Sequence, residues 1–419
     1  MRDSATGAAG SQAGARAGER HAEAATGADD RGDDAEPDRS GRRWWTVAIF
    51  AYITLEGAGL QMRGAVIPAL RRSFDVPEWQ LGLVAPAGTV GYVLAVVVVG
   101  AVAGRLDTRR LLLVGFFGTG VGILVMGVAP SFALFLAALL GRGLLTGVGR
   151  GGDRPLLSHL YPRQRGRLFG YYDMMWAVGA TAGPLLVAAA VAAGNWRLAY
   201  YALGLAFVPV VALVVALPTP EVDGGDDPLD WAELRRITRQ PAVLTMAVAL
   251  FCSTGFEGGL FTWVTTYAQG RLPGSLATAS LSVMLAAYIP GRFASGWLSE
   301  RVGYVRLTVG LVGLTIPAFG YTFFLAEGYG LLVGLFTIGL ALSGMYPTLL
   351  AYATEAVPEH SAPVNATAAV TSAAGIAVVP AAMGFVISDI GVAGAMRLLA
   401  VPLALLALVL SYALYRAVR

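Results

Sequence analysis

Apolar and polar residues alternate in long blocks along this chain. Twelve apolar runs, at about 44–68, 81–103, 111–129, 132–157, 168–193, 198–217, 242–267, 276–298, 305–325, 330–354, 364–387 and 391–414, are parted by short polar packets. A helix rises 1.5 Å per residue, so about 20 residues cross roughly 30 Å of hydrocarbon. Backbone polar groups in lipid must be satisfied within their own segment, which makes each run a predicted helix. The alternating segments of about ten residues that a membrane barrel needs are absent from the sequence. The pattern predicts an all-α integral membrane protein with 12 transmembrane helices. Composition agrees: with 56% hydrophobic and 14% charged residues over 419 positions, the chain holds more apolar side chain than a soluble core of this length could bury.

Two polar stretches stand outside the pattern. Residues 1–43 hold nine acids and seven arginines with almost no large apolar side chain, and are expected to form a disordered cytoplasmic tail. No apolar h-region follows the first charge, so a cleaved export signal is not expected. Residues 218–241 read as a cytoplasmic linker between a six-helix half at 44–217 and another at 242–419. Within it Trp231, Leu234 and Ile237 recur at helical spacing beside Arg235, Arg236 and Arg239, which suits a short interfacial helix or a solvated connector. Placing the N-terminus inside the cell puts most loop arginines, among them Arg105, Arg109, Arg110, Arg163, Arg165 and Arg167, on the cytoplasmic side. The positive-inside rule then orients a multi-pass plasma-membrane protein with both termini cytoplasmic.

All 30 basic residues are arginine. Without lysine there is no Walker A loop for ATP and no Schiff base for retinal. Cys252 and the histidines at 21, 159 and 360 are too few and too scattered for disulfides, metal clusters or thiol–imidazole catalysis. The chain is therefore expected to be no enzyme and to use no cofactor or metal. Its net charge of +3 reports topology and implies no nucleic-acid partner.

The two halves share landmarks at a single offset: Gly100 and Gly296, Arg105 and Arg301, Asp107 and Gly303, Gly179 and Gly375, Pro184 and Pro380, Pro77 and Pro273. An even number of helices per copy makes these parallel repeats about an axis along the membrane normal. At the 2–3 and 8–9 loops the copies read GAVAGRLDTRR at 100–110 and GRFASGWLSERVG at 291–303. Arg142 with Gly147 and Gly149, and Gly170, Gly179, Gly183 and Pro184, complete the pattern. Together these residues resemble the major facilitator superfamily over about 44–414. The second loop copy, with Gly296, Leu298, Glu300, Arg301 and Gly303, keeps the family form, whereas the first has Gly104 in place of the acid. Helix 7, GFEGGLFTWVTTY, and helix 10, ALSGMYPTLL, show a weaker similarity to the fucose permease-like sugar:proton symporters, whose helix 7 carries an acid with a downstream Trp and Tyr, here Glu257, Trp263 and Tyr267.

The resemblance implies alternating access, in which bonds at the cytoplasmic helix ends break and re-form. Arg105, Asp107, Asp153, Glu300 and Arg301 are the candidates for that gate. Charges inside the membrane are costly and mark function or pairing. Glu56 and Arg63 lie seven apart on one face of helix 1, and Glu257 matches Gln61 at the repeat offset. Gln61, about 140° from Glu56, cannot share a cavity with it on a straight helix. Arg142 and Arg292 complete the proton-coupling or cavity candidates, with Glu56 expected to couple protons and Glu257 to bind substrate. The expected protein is a secondary active transporter of a sugar-like solute or organic anion, coupled to protons and monomeric in the bilayer. The alternatives are a multidrug/proton efflux antiporter and a transporter-like receptor that moves nothing.

Overall fold

The computed structural model describes residues 36–101, 107–218, 235–357 and 361–418. Contacts divide the chain into Met1–Arg43 and Trp44–Arg419. The second unit carries the helices that concern function. Each of the twelve apolar runs is helical over its described residues: α1 Glu36–Phe74, α2 Glu78–Gly100, α3 Thr108–Val128, α4 Phe132–Leu160, α5 Arg165–Ala192, α6 Arg197–Ala216, α7 Pro241–Ala268, α8 Gly274–Val302, α9 Tyr304–Leu325, α10 Gly330–Ala356, α11 over 361–390 and α12 over 392–418. Among the described residues ten stretches are long and apolar enough to span a membrane, and the last of them, Pro363–Tyr415, covers most of both α11 and α12. Adding α1, whose hydropathy is lowered by Glu56, Gln61 and Arg63, gives the twelve-helix bundle.

Local signals set the helix ends. Asp107 caps α3, its carboxylate accepting from the Arg110 N–H at 2.7 Å, and Ser131 caps α4 through the Leu134 N–H. Pro241 opens α7, where a missing N–H costs nothing. Gly303 at φ 82° parts α8 from α9, and Gly391 at φ 70° turns α11 into α12, conformations that disfavour a Cβ.

Close packing follows the glycines. A Cβ on Gly179 would lie 2.6 Å from the Thr54 carbonyl carbon, and one on Gly183 2.9 Å from that of Ala58. Gly179 and Gly183 of the helix 5 pattern are therefore where α5 meets the backbone of α1, whereas Gly170 faces open space. Between the halves, α2 packs on α11, and α5 packs along Gly274–Ala286 of α8 but only sparsely along Tyr288–Val302. The halves are thus closed at the face holding the 75–77 and 269–273 turns and splayed towards the other.

Two expectations are corrected or fall outside the described residues. Helix α1 starts at Glu36, so residues 36–43 of the expected disordered tail are helical, because helical hydrogen bonding continues N-terminal to the first apolar run. Residues 1–35 of that tail, and Trp231 and Leu234 of the linker, lie outside the described residues. Ile237, in a helical turn at 235–237, is fully buried.

Candidate functional site

A cavity of about 180 Å³ lies between the halves. Helix α1 contributes Gln61 and Arg63 to its wall, α5 Trp176, α7 Thr254, Glu257 and Phe261, α8 Tyr288 and Arg292, α10 Ser343 and Tyr346, and α11 Ser372. On α7 the wall residues Thr254, Glu257, Gly258, Phe261 and Thr262 form one helical stripe. The cavity is mostly apolar with a few placed polar groups, the usual make-up of a small-molecule site.

Its charged side chains are Arg63, Glu257 and Arg292, with the Tyr288 hydroxyl beside Glu257. The Tyr288 hydroxyl donates to Glu257 Oε1. One turn on, the Arg292 guanidinium lies 5.6 Å from the Trp176 ring centroid and 5.9 Å from that of Tyr288, both within cation–π range. Arg292 Nη1 also donates to the Asp173 backbone carbonyl at 3.2 Å, crossing from one half to the other. Its Nε is buried and finds no hydrogen-bond partner among the described residues, and the Ser372 hydroxyl is in the same position. Arg63 donates from Nε to the Leu60 carbonyl at 2.9 Å, and its Nη1 lies against Gly88, where a Cβ would come within 2.7 Å. The wall therefore presents two guanidinium groups and one carboxylate that is already hydrogen-bonded.

Two charged clusters flank the cavity. Glu56 and Arg142, 5% and 3% exposed, pair at 3.9 Å, and Arg142 Nη2 also donates to the Glu56 carbonyl at 3.4 Å. Gly59 and Gly122 make room for this arginine. In the splayed half of the molecule, the fully buried Asp153 accepts from the Tyr172 hydroxyl and, at 2.6 Å, from the Arg154 N–H. Arg150 donates to the same tyrosine oxygen, and Arg154 pairs with the Asp173 carboxylate at 2.8 Å.

Of the expected cavity residues, Gln61, Arg63, Glu257 and Arg292 come together and the other four do not. Glu56 faces Arg142 on α4, away from the cavity, in keeping with the roughly 140° that separates it from Gln61 on an ideal helix. Trp263 is fully buried and donates to the Pro380 carbonyl at 3.1 Å, while Tyr267 packs edge-on against Phe323 under Arg271. Both pack α7 onto its neighbours. Among the gate candidates, Arg105 lies outside the described residues, Asp107 is a helix cap, and Asp153 finds its partners among the described residues on α4 and α5. Arg301 stacks on Trp297 at 3.6 Å, and Glu300 is exposed with no ion-pair partner among the described residues. Sequence reasoning missed Tyr288, Trp176 and Tyr172. Tyr288 was within reach, being four residues before Arg292 and so on the same helical face.

The chain is similar to curated relatives that include the following two. NiaP of Bacillus subtilis (strain 168), provisionally designated a niacin/nicotinamide transporter, is 26% identical over 331 residues, covering 74% of this chain and 78% of that protein. The gallate transporter of Pseudomonas putida is 24% identical over 354 residues, again covering 74% and 78%. Solved structures that share the fold include two transporters. An inward-facing, unoccupied bacterial homolog of the human lysosomal transporter Spinster superposes with a TM-score of 0.73 at 15% identity over 90% of this chain and 98% of that one. FucP in the outward conformation gives 0.62 at 18% identity over 88% and 98%. The Major Facilitator Superfamily pattern itself matches residues 49–374, most of the bundle, and the chain belongs to that family of secondary transporters.

Proposed function

We propose that this transporter of small solutes carries a small organic anion and couples its movement to protons. The observation that carries the reading is the pair of guanidinium groups, Arg63 and Arg292, facing one cavity with a single carboxylate, Glu257. Buried charge without a counter-charge is costly, so a wall of this kind favours a solute that brings a carboxylate. Trp176 beside Arg292 and Phe261 beside Tyr288 offer apolar and ring surface for the rest of the solute. Niacin and gallate, named for the two relatives, are aromatic carboxylates and fit this class, whereas nicotinamide, named with niacin, is a neutral amide and does not. Glu257 is the group best placed for the proton, since it meets the cavity and water would reach it when the cavity opens. A sugar-like solute loses support because Trp263 and Tyr267, the residues that suggested it, pack outside the cavity. On this reading the termini and the 218–241 linker between the 44–217 and 242–419 halves are cytoplasmic, and the cavity faces the cytoplasm.

The test is equilibrium binding to the purified protein, followed by quenching of Trp176. Aromatic monocarboxylates should bind, their neutral amides and hexoses should not, and Arg292→Gln should weaken binding by about 10–100-fold, the loss of one charge-assisted hydrogen bond. Hexose binding without carboxylate binding would replace the anion reading with the sugar reading.

A further inference from the structure

A second cavity, of about 340 Å³, lies beyond the first on the closed face. The central cavity ends at Gly64 on α1 and Thr262 on α7, and the second begins at Ile67 and Trp263 on the same two helices. Its rim holds the Arg71–Glu78 ion pair at 2.7 Å. What separates the chambers along α1 and α7 is the approach of Gly64 to the Phe261 carbonyl, whose carbon would stand 2.8 Å from a Cβ at residue 64. A second seam between the halves lies nearby. A Cβ on Gly384 of α11 would lie 2.9 Å from the Gly82 Cα on α2, and one on Gly82 would lie 3.2 Å from the Gly384 Cα. At both places, backbone meets backbone across the two halves with no side chain between.

We infer that Gly64, Gly82 and Gly384 are positioning residues for transport: their missing side chains let the 75–77 face close, and the layer they form is the gate between the two chambers. The gate acts through helix separation, so it does not depend on which solute is carried. A methyl group at residue 64 meets backbone on the facing helix and can be housed only if α1 and α7 move apart, which is the movement that joins the chambers. At residue 82 the overlap is smaller and a shift of a few tenths of an ångström suffices. The effect should therefore be graded, large at Gly64 and modest at Gly82. Gly310 on α9 has no atom within 4 Å of its Cβ direction and supplies the control.

The experiment uses the full chain with Cys252→Ala, a reporter Ser372→Cys in the central cavity, and an impermeant thiol reagent applied to each membrane face in turn. The parent should label from the face opposite residues 75–77. Gly64→Ala should raise labelling from the 75–77 face, relative to the other, by about tenfold or more. Gly82→Ala should raise it less, and Gly310→Ala not at all. A folded Gly64→Ala with the parent's ratio, a Gly310→Ala shift of equal size, or a parent already labelled from the 75–77 face would overturn the inference. If Gly64→Ala does not fold, Gly82→Ala decides, and an unchanged ratio there overturns it as well.

Discussion

Arg142 and Glu56 supply a stability prediction with a magnitude set by their geometry. The pair lies 3.9 Å apart with side chains 3% and 7% exposed. At an effective dielectric constant near 20, two unit charges at that distance attract by about 4 kcal/mol. Removing one partner forfeits this attraction and strands the other charge, for which a loss of about 3–5 kcal/mol is typical. Arg142→Met keeps an unbranched apolar stem and removes the charged guanidinium, so it should lower the apparent unfolding temperature in detergent markedly. Glu56→Gln, which strands the arginine, should do likewise. The double variant Arg142→Met/Glu56→Gln buries no unpaired charge and should recover most of the loss, giving a coupling of at least about 2 kcal/mol in a double-mutant cycle. Additive losses, or single variants as stable as the parent, would show that the two residues do not act as a buried pair.

Gly179→Ala should destabilise by about 1–3 kcal/mol, because its methyl group collides with the Thr54 carbonyl, whereas Gly170→Ala has open space and should not; equal unfolding temperatures would contradict this packing. Trp263→Phe loses the bond to the Pro380 carbonyl and should cost roughly 0.5 to about 1.5 kcal/mol in unfolding while leaving solute affinity unchanged; a fall in affinity would return Trp263 to the binding site. Cysteines placed at Arg239 and Gln269, at opposite ends of α7, should label from opposite membrane faces, with residue 239 on the cytoplasmic side; the reverse pattern would invert the proposed orientation.

The helices were readable because lipid permits one solution. A stretch of about 20 apolar residues has to satisfy its own backbone, and all twelve runs did so. Gly179 and Gly183 of helix 5 were readable for a related reason, since small residues mark close helix contact, here with the Thr54 and Ala58 carbonyls. Which side chains share the cavity was less accessible. Six residues on from Glu257, Trp263 points about 120° away on an ideal helix, so periodicity alone would have removed it from the site. Family likeness to another helix 7 placed it there instead. The partner of Glu56 was out of reach, because it sits on α4, 86 positions away, and only the packing of α1 on α4 brings the two together. The gate reading of Asp107 failed for a local reason: three residues before Arg110, a short acid satisfies the free N–H groups of a helix start.

The central claim is proton-coupled movement of a small organic anion through the cavity of Arg63, Glu257 and Arg292. Its most direct measurement is uptake of a radiolabelled aromatic monocarboxylate into proteoliposomes under an imposed pH gradient, with the parent compared to Glu257→Gln. The parent should accumulate the solute above its external concentration and lose that accumulation when an ionophore collapses the gradient. Glu257→Gln should still exchange the solute down its own gradient but should not concentrate it. Accumulation by Glu257→Gln equal to the parent's would remove Glu257 from coupling, and no gradient-driven uptake by the parent of any carboxylate tested would contradict the account.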